Sequence, residues 1–221
     1  MTLQTFRILS ALLCYPTDDL FDALHELPAV LRHENLIPPD TRDALERFIT
    51  DLADTEPLDA QERYVGLFDR NRSLSLHLYE HVHGDSRERG EAMVRLATLY
   101  KLHGLDVAAN ELPDYLPLYL EFLSQLPERA ARSLLAEAAH VIAALADKLE
   151  ARRSPYATVL RAVEAIALRQ PQPDKVAQVR ATLDPDADSL TALDRQWEEE
   201  AVRFTAAGMT QETTGAAPCG R

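Results

Sequence analysis

Apolar residues recur along this chain at intervals of three and four, the spacing of one helix face, and prolines and polar clusters interrupt the pattern at regular stages. Leu3, Phe6, Leu9 and Leu13 define a first helix that Pro16 stops, because proline has no amide proton to continue the ladder. Thr17 then reads as an N-cap, with Asp18 and Asp19 placed against the positive end of the helix dipole. Leu20, Leu24 and Leu27 carry this second helix to Pro28 or a little beyond. Pro38, Pro39 and Asp40 restart the chain, and Leu45, Phe48, Ile49 and Leu52 form a third stripe. A fourth helix after Pro57 turns Tyr64, Leu67 and Phe68 inward before the polar break from Asp69 to Ser73.

Gly84-Asp85-Ser86-Arg87-Glu88 has the form of a capping box, and Met93, Leu96, Ala97 and Tyr100 make the buried stripe of the helix it opens, with Gly104 as its stop. Leu112, Leu116, Tyr119, Leu123 and Leu126 mark the next helix, in which Pro117 lies in the first turn or kinks the segment. Glu128 to Glu150 is a long Ala/Leu helix, apolar nearly all round at Val141, Ile142 and Leu145, and is expected to be the most buried element, with His140 as an interior histidine. Shorter helices follow over Pro155–Leu168 and Val176–Leu183, and a last one carries Leu190, Leu193, Trp197 and Val202 with Glu198–Glu200 on its wet side. Beyond Thr205 the composition turns to Gly, Thr, Ala and Pro, which predicts disorder. The expected organisation is an all-α helical bundle in one domain over residues 1–205, with a disordered tail over 206–221.

Composition narrows the function. Scarce Gly and abundant Leu and Ala favour packed helices over a sheet architecture. The formal charge of −13 argues against nucleic acid and anionic membranes, since phosphate neutralisation needs a Lys/Arg surface. Cys14 and Cys219 form no CxxC pair, which fits a reducing compartment. The N-terminus lacks a signal-peptide pattern, and the apolar-rich run from Ile8 to Tyr15 is far below the roughly 20 residues that cross a bilayer. A cytoplasmic, soluble protein is expected.

From Leu102 to Glu128 the only charges are acidic: Asp106, Glu111, Asp114, Glu121 and Glu128 alternate with Leu, Tyr, Phe and Pro. Acid beside aromatic and aliphatic surface suits a basic, amphipathic peptide. The sharpest competing signal is His77-Leu78-Tyr79-Glu80-His81, which matches the H-x-x-E-H arrangement of inverted zinc peptidases and would make the protein a zinc hydrolase if a third ligand and a cleft completed it. The alternative is a short helix presenting Tyr79 and histidines at a turn, with His81, His83 and Asp85 as ordinary hydrogen-bonding groups. Arg87 lies either on a solvated helix face or within reach of Glu111 and Asp114. Tyr115 and Tyr119 are either core or the edge of a groove, where a phenol has one apolar and one wet end. A helical scaffold that joins two proteins through the same acidic surface is a third reading.

Tyr64–Phe68, the stretch from Glu80 to Arg87, Glu111 to Glu121 and Trp197–Glu200 together resemble the nitrate reductase assembly chaperones of the TorD/DmsD family of redox-enzyme maturation proteins, over most of the chain. The resemblance implies an all-helical TorD-like bundle with no catalytic turnover, no catalytic or metal residues and no bound cofactor of its own. It implies as partner the N-terminal segment of the apo α subunit of respiratory nitrate reductase, which such proteins hold open for insertion of the molybdenum cofactor while delaying its docking to the membrane subunit. Molybdenum cofactor delivery proteins are further partners implied. A monomer is the default state and a dimer the alternative. The family's acidic motif usually has His after the Asp that matches Asp114; here Tyr115 stands in its place. The residues expected at the peptide site are Tyr64, Phe68, Tyr79, Tyr115 and Tyr119 for apolar contact, Glu80, Glu111 and Asp114 for basic side chains, and Arg87 as a tie between the loops.

Overall fold

The computed structural model describes residues 2–83, 87–107 and 111–183. Within them the chain is all helical: α1 Gln4–Leu12, α2 Asp18–Ala23, α3 Leu27–Glu34, α4 Pro39–Ala53, α5 Pro57–Tyr64, α6 Glu80–His83, α7 Arg87–Leu102, α8 Leu116–Ser124, α9 Glu128–Ala151, α10 Ala157–Ile166 and α11 Pro173–Thr182. A π-helical turn, Val65–Asp69, extends α5, and a 3₁₀ turn spans Arg72–Leu74. The only extended pairing among the described residues is a single antiparallel bridge between His77 and Tyr115.

Helix α9 is the organising element. Its buried positions Ala131, Leu135, Ala139, Ile142, Ala146 and Leu149 repeat every three or four residues, and the alanines let α10 approach closely with Val159, Leu160, Ala162, Val163 and Ile166. α8 and α11 also pack on α9, while α1 packs on α8, α3 and α10, and α4 on α10 and α3. Each fully buried Leu, Ile or Val here contributes about 1.5–3 kcal/mol relative to exposure. α9 ends in a left-handed residue, Arg153 at φ 54°, after which the Ser154 amide returns to the Leu149 carbonyl at 2.9 Å. Gly104, at φ 78°, closes α7 in the same left-handed conformation.

Prolines explain most of the differences from the sequence reading. Pro28 does not end the second helix; it occupies the first turn of α3, where its missing amide proton costs nothing, and the chain breaks earlier, between α2 and α3. Pro117 likewise lies in the first turn of α8, so that helix starts at the proline and is not kinked by it. Thr17 holds the N-cap position of α2, but its side chain makes no capping hydrogen bond. His140 is only partly buried on α9, and burial lowers its pKa. The Gly84–Ser86 cap, the Leu190–Val202 helix with Trp197, and the domain boundary at 205 fall outside the described residues.

Candidate functional site

The segment from Leu112 to Leu116 enters α8 beside the segment from Leu76 to Tyr79, and backbone bonds hold the two together. Leu78 donates to the Asp114 carbonyl at 3.0 Å and Leu116 to the Leu76 carbonyl at 2.8 Å, flanking the His77–Tyr115 bridge. A side-chain clasp reinforces the junction. The Asp114 carboxylate is 0 % exposed; it accepts from His77 Nδ1 at 3.2 Å and from the Tyr79 backbone amide at 3.1 Å, and Arg89 Nη2 of α7 stands 3.6 Å away. Burial alone would raise the Asp114 pKa, but the His77 hydrogen bond and charge, Arg89 and the Tyr79 amide outweigh it and hold the carboxyl below its usual value. The Tyr100 hydroxyl donates to the Pro113 carbonyl at 2.7 Å and fixes the same segment from α7.

A second set of contacts joins this junction to the end of α1. The Tyr64 hydroxyl donates to the Leu13 carbonyl at 2.9 Å, an orphan acceptor at a helix C-terminus, and lies 3.3 Å from the Tyr115 hydroxyl. Since Tyr64 has one proton and gives it to Leu13, Tyr115 is the donor of the pair. Tyr64 also packs on Phe68 at 4.9 Å between centroids, and both touch the ring of Tyr156. The π-helical turn permits this stacking by carrying Phe68 round to the interior, with Asn71 Nδ2 donating to the Gly66 carbonyl to close the turn. Tyr15, on the turn after α1, stands edge-on to Tyr64 at 5.9 Å and is 45 % exposed.

The outer surface of the site is therefore Tyr15, the partly buried Tyr115, His77 against the Tyr115 ring at 5.3 Å, and the exposed Leu112 and Glu111. Its field is negative. Burial, then Glu121 and Glu111, push the Cys14 thiol up to about 11, and burial, Cys14, Asp69 and Glu111 raise the Tyr115 phenol against a lowering bond from Tyr64. A hydrogen-bonding aromatic wall under a negative potential can hold an apolar side chain and attract a cationic one.

The residues expected from sequence divide into two groups. Tyr64, Phe68 and Tyr119 are buried, and so is Asp114; Tyr64, Phe68 and Asp114 build the wall from behind, while the Tyr119 ring packs against Phe122. Tyr79, Tyr115 and Glu111 keep accessible surface. Glu80 is committed to Arg72 at 2.8 Å and to the Ser75 hydroxyl at 2.7 Å. Arg87 does not tie the loops: it is almost fully exposed and pairs with Glu91 at 3.5 Å, one turn along α7. Arg89 takes the expected place beside Asp114, because a helix turns residues 87 and 89 by about 200° relative to each other. Sequence reasoning missed Tyr15, Arg89 and the proximity of Cys14. Arg89 was legible only as one of a charge run, and Tyr15 as a tyrosine before a helix-ending proline.

The H-x-x-E-H segment does not form a helical pair of ligands. α6 begins at Glu80, leaving His77 in the bridge, where Nδ1 donates to Asp114; His81 is buried and its Nε2 donates to the Ser75 carbonyl at 2.6 Å. Among the described residues, no group of three or more His, Cys, Asp or Glu side chains is arranged to hold a metal ion. No helix of the described residues is long and apolar enough to cross a membrane.

Comparison with known proteins assigns the family. Residues 34–162 match the family model "Nitrate reductase delta subunit". The chain is 44 % identical over 199 residues to the nitrate reductase molybdenum cofactor assembly chaperone NarJ of Escherichia coli K12, covering 90 % of this chain and 84 % of that protein. It is 37 % identical over 204 residues to the probable assembly chaperone NarW of the same organism, covering 91 % and 84 %. Both relatives are named for assembly of the nitrate reductase molybdenum cofactor. The fold matches a crystal structure from Archaeoglobus fulgidus, described as a candidate redox enzyme maturation protein, with TM-score 0.50 and 24 % identity over 72 % of this chain and 89 % of that one. The chain is thus a member of the nitrate reductase delta subunit family.

Proposed function

We propose that this protein is a chaperone for nitrate reductase assembly, which binds the N-terminal segment of the apo catalytic α subunit in the cytoplasm, keeps the subunit receptive to the molybdenum cofactor, and delays membrane docking until the metal centres are in place. The observation that carries the reading is 44 % identity over most of the chain to an assembly chaperone of that name. The site supports the kind of ligand: the Tyr15, Tyr115 and Leu112 surface takes an apolar side chain, and Glu111, Asp69 and Glu121 attract an Arg or Lys beside it. Exposed ion pairs contribute only about 0–1 kcal/mol each, so the aromatic surface supplies most of the affinity and the acids supply steering and choice of partner.

Titration of the protein with a peptide of the nitrate reductase α subunit's N-terminus, followed by calorimetry, tests this. Saturable binding that a scrambled peptide of equal charge does not reproduce is expected. Equal binding of both peptides would reduce the protein to an acidic scaffold, and no binding of either would remove the client segment from the proposal.

A further inference from the structure

We infer that Asp114 and Arg89 are positioning residues, a buried clasp that sets the His77 and Tyr115 surface for a basic amphipathic segment, and that Asp114 does not offer its own charge to that segment. The inference rests on the reading of this surface as a client-binding site. The carboxylate is 0 % exposed, so no basic side chain can reach it without opening the junction. Each of its oxygens already accepts a hydrogen bond, from His77 Nδ1 and from the Tyr79 amide, and Arg89 stands 3.6 Å away as its ion-pair partner.

The anion and its partners come from three parts of the wall. Tyr79 and His77 lie on the segment leading into α6, Arg89 on α7 and Asp114 at the start of α8. One buried anion therefore ties α7 to two segments that are joined to each other by backbone bonds at Leu78 and Leu116, beside the bond from Tyr100 of α7 to the Pro113 carbonyl. Tyr115 follows Asp114 directly and its ring stacks on His77, so the clasp determines where the accessible phenol sits. Arg89, with a side chain 14 % exposed against 93 % for Arg87, is the cation built into the structure rather than one left for solvent.

A charge that touches the client and a charge that positions the wall differ in two measurable ways. Loss of a contacting charge flattens the salt dependence of binding, whereas loss of a positioning charge lowers affinity at unchanged slope. Loosening the clasp also frees the bridge amides without help from any client. In Asp114→Asn, amide exchange by NMR is expected to quicken at least about tenfold at Leu78, Tyr79 and Leu116 while α9 and α10 stay as in the wild type, with peptide affinity down about tenfold at the wild-type salt slope. Arg89→Lys keeps the charge but loses the planar fork, and is expected to give a smaller change of the same pattern; it serves if Asp114→Asn fails to fold. Glu111→Gln is the reference that flattens the slope and leaves exchange alone. Unchanged exchange at the three amides, or a flattened slope in Asp114→Asn, overturns the inference. If the wild type does not bind the peptide, the client reading fails, and the exchange rates alone still decide whether the clasp exists.

Discussion

Replacement of Tyr64 by Phe removes one oxygen from the point where α1, the π-helical turn and the start of α8 meet. The ring stays in its cluster with Phe68 and Tyr156, so the apolar burial is unchanged. Two groups lose a partner: the Leu13 carbonyl, which accepts at 2.9 Å, and the Tyr115 hydroxyl at 3.3 Å. An unsatisfied buried acceptor costs about 1–3 kcal/mol, whereas the partly exposed Tyr115 hydroxyl can turn to water at little cost. The net destabilisation should be about 1–2 kcal/mol, and a melting temperature lower by roughly 2–4 °C per kcal/mol in a chain of this size. Urea unfolding of Tyr64→Phe, Tyr115→Phe and the double variant measures it: Tyr115→Phe should cost under about 0.5 kcal/mol, and the double variant should cost about as much as Tyr64→Phe alone because both removals break the same bond. A Tyr64→Phe loss below about 0.3 kcal/mol, or additive losses, would show that the phenol does not staple these elements, and the same argument for Tyr115 as a held wall would fall with it.

The lowered pKa of Asp114 fixes the sign of a pH effect: its stabilising contribution is present above the ordinary carboxyl value of 3.8 and is lost as pH falls through the folded value, so acid unfolding of Asp114→Asn should be shallower than wild type below that point. Cys14, with its thiol pushed up to about 11, should react with iodoacetamide slowly at pH 7 in a Cys219→Ser background and speed up steadily toward pH 11; a rate already on its plateau at pH 8 would contradict the burial and the acidic field. Leu145→Ala, at a position 1 % exposed in α9, should cost about 2–5 kcal/mol in urea unfolding. Arg161 bonds Asp147, Glu150 and Glu164 at 2.6–2.8 Å but is about a third exposed, so Arg161→Met should cost only about 1 kcal/mol and less in high salt.

The helical nature of the chain was written in one dimension. A 3.6-residue period of Leu and Ala, broken by proline and closed by Gly104, depends only on local geometry, which is why the stripe of α4 could be assigned residue by residue, whereas Leu112, expected at the head of the next stripe, lies exposed before α8 begins. The acidic and aromatic content of the 111–121 segment was equally plain, and with it the kind of partner that would suit it. What no period records is which residues of separate helices meet. Only the tertiary structure decided that Asp114 points inward, because the cation and amide that make its burial tolerable come from α7 and from the segment before α6, 25 and 35 residues away in sequence. It also put Arg89, and not the Arg87 expected from sequence, beside Asp114, since the two lie on opposite sides of a helix. Tyr15 became part of the wall because Tyr64, on a different helix, reaches back to the end of α1. Periodicity determines which face of a helix is buried; the identity of the atoms waiting there is a property of packing, and it is packing that turned a run of acids and tyrosines into a surface.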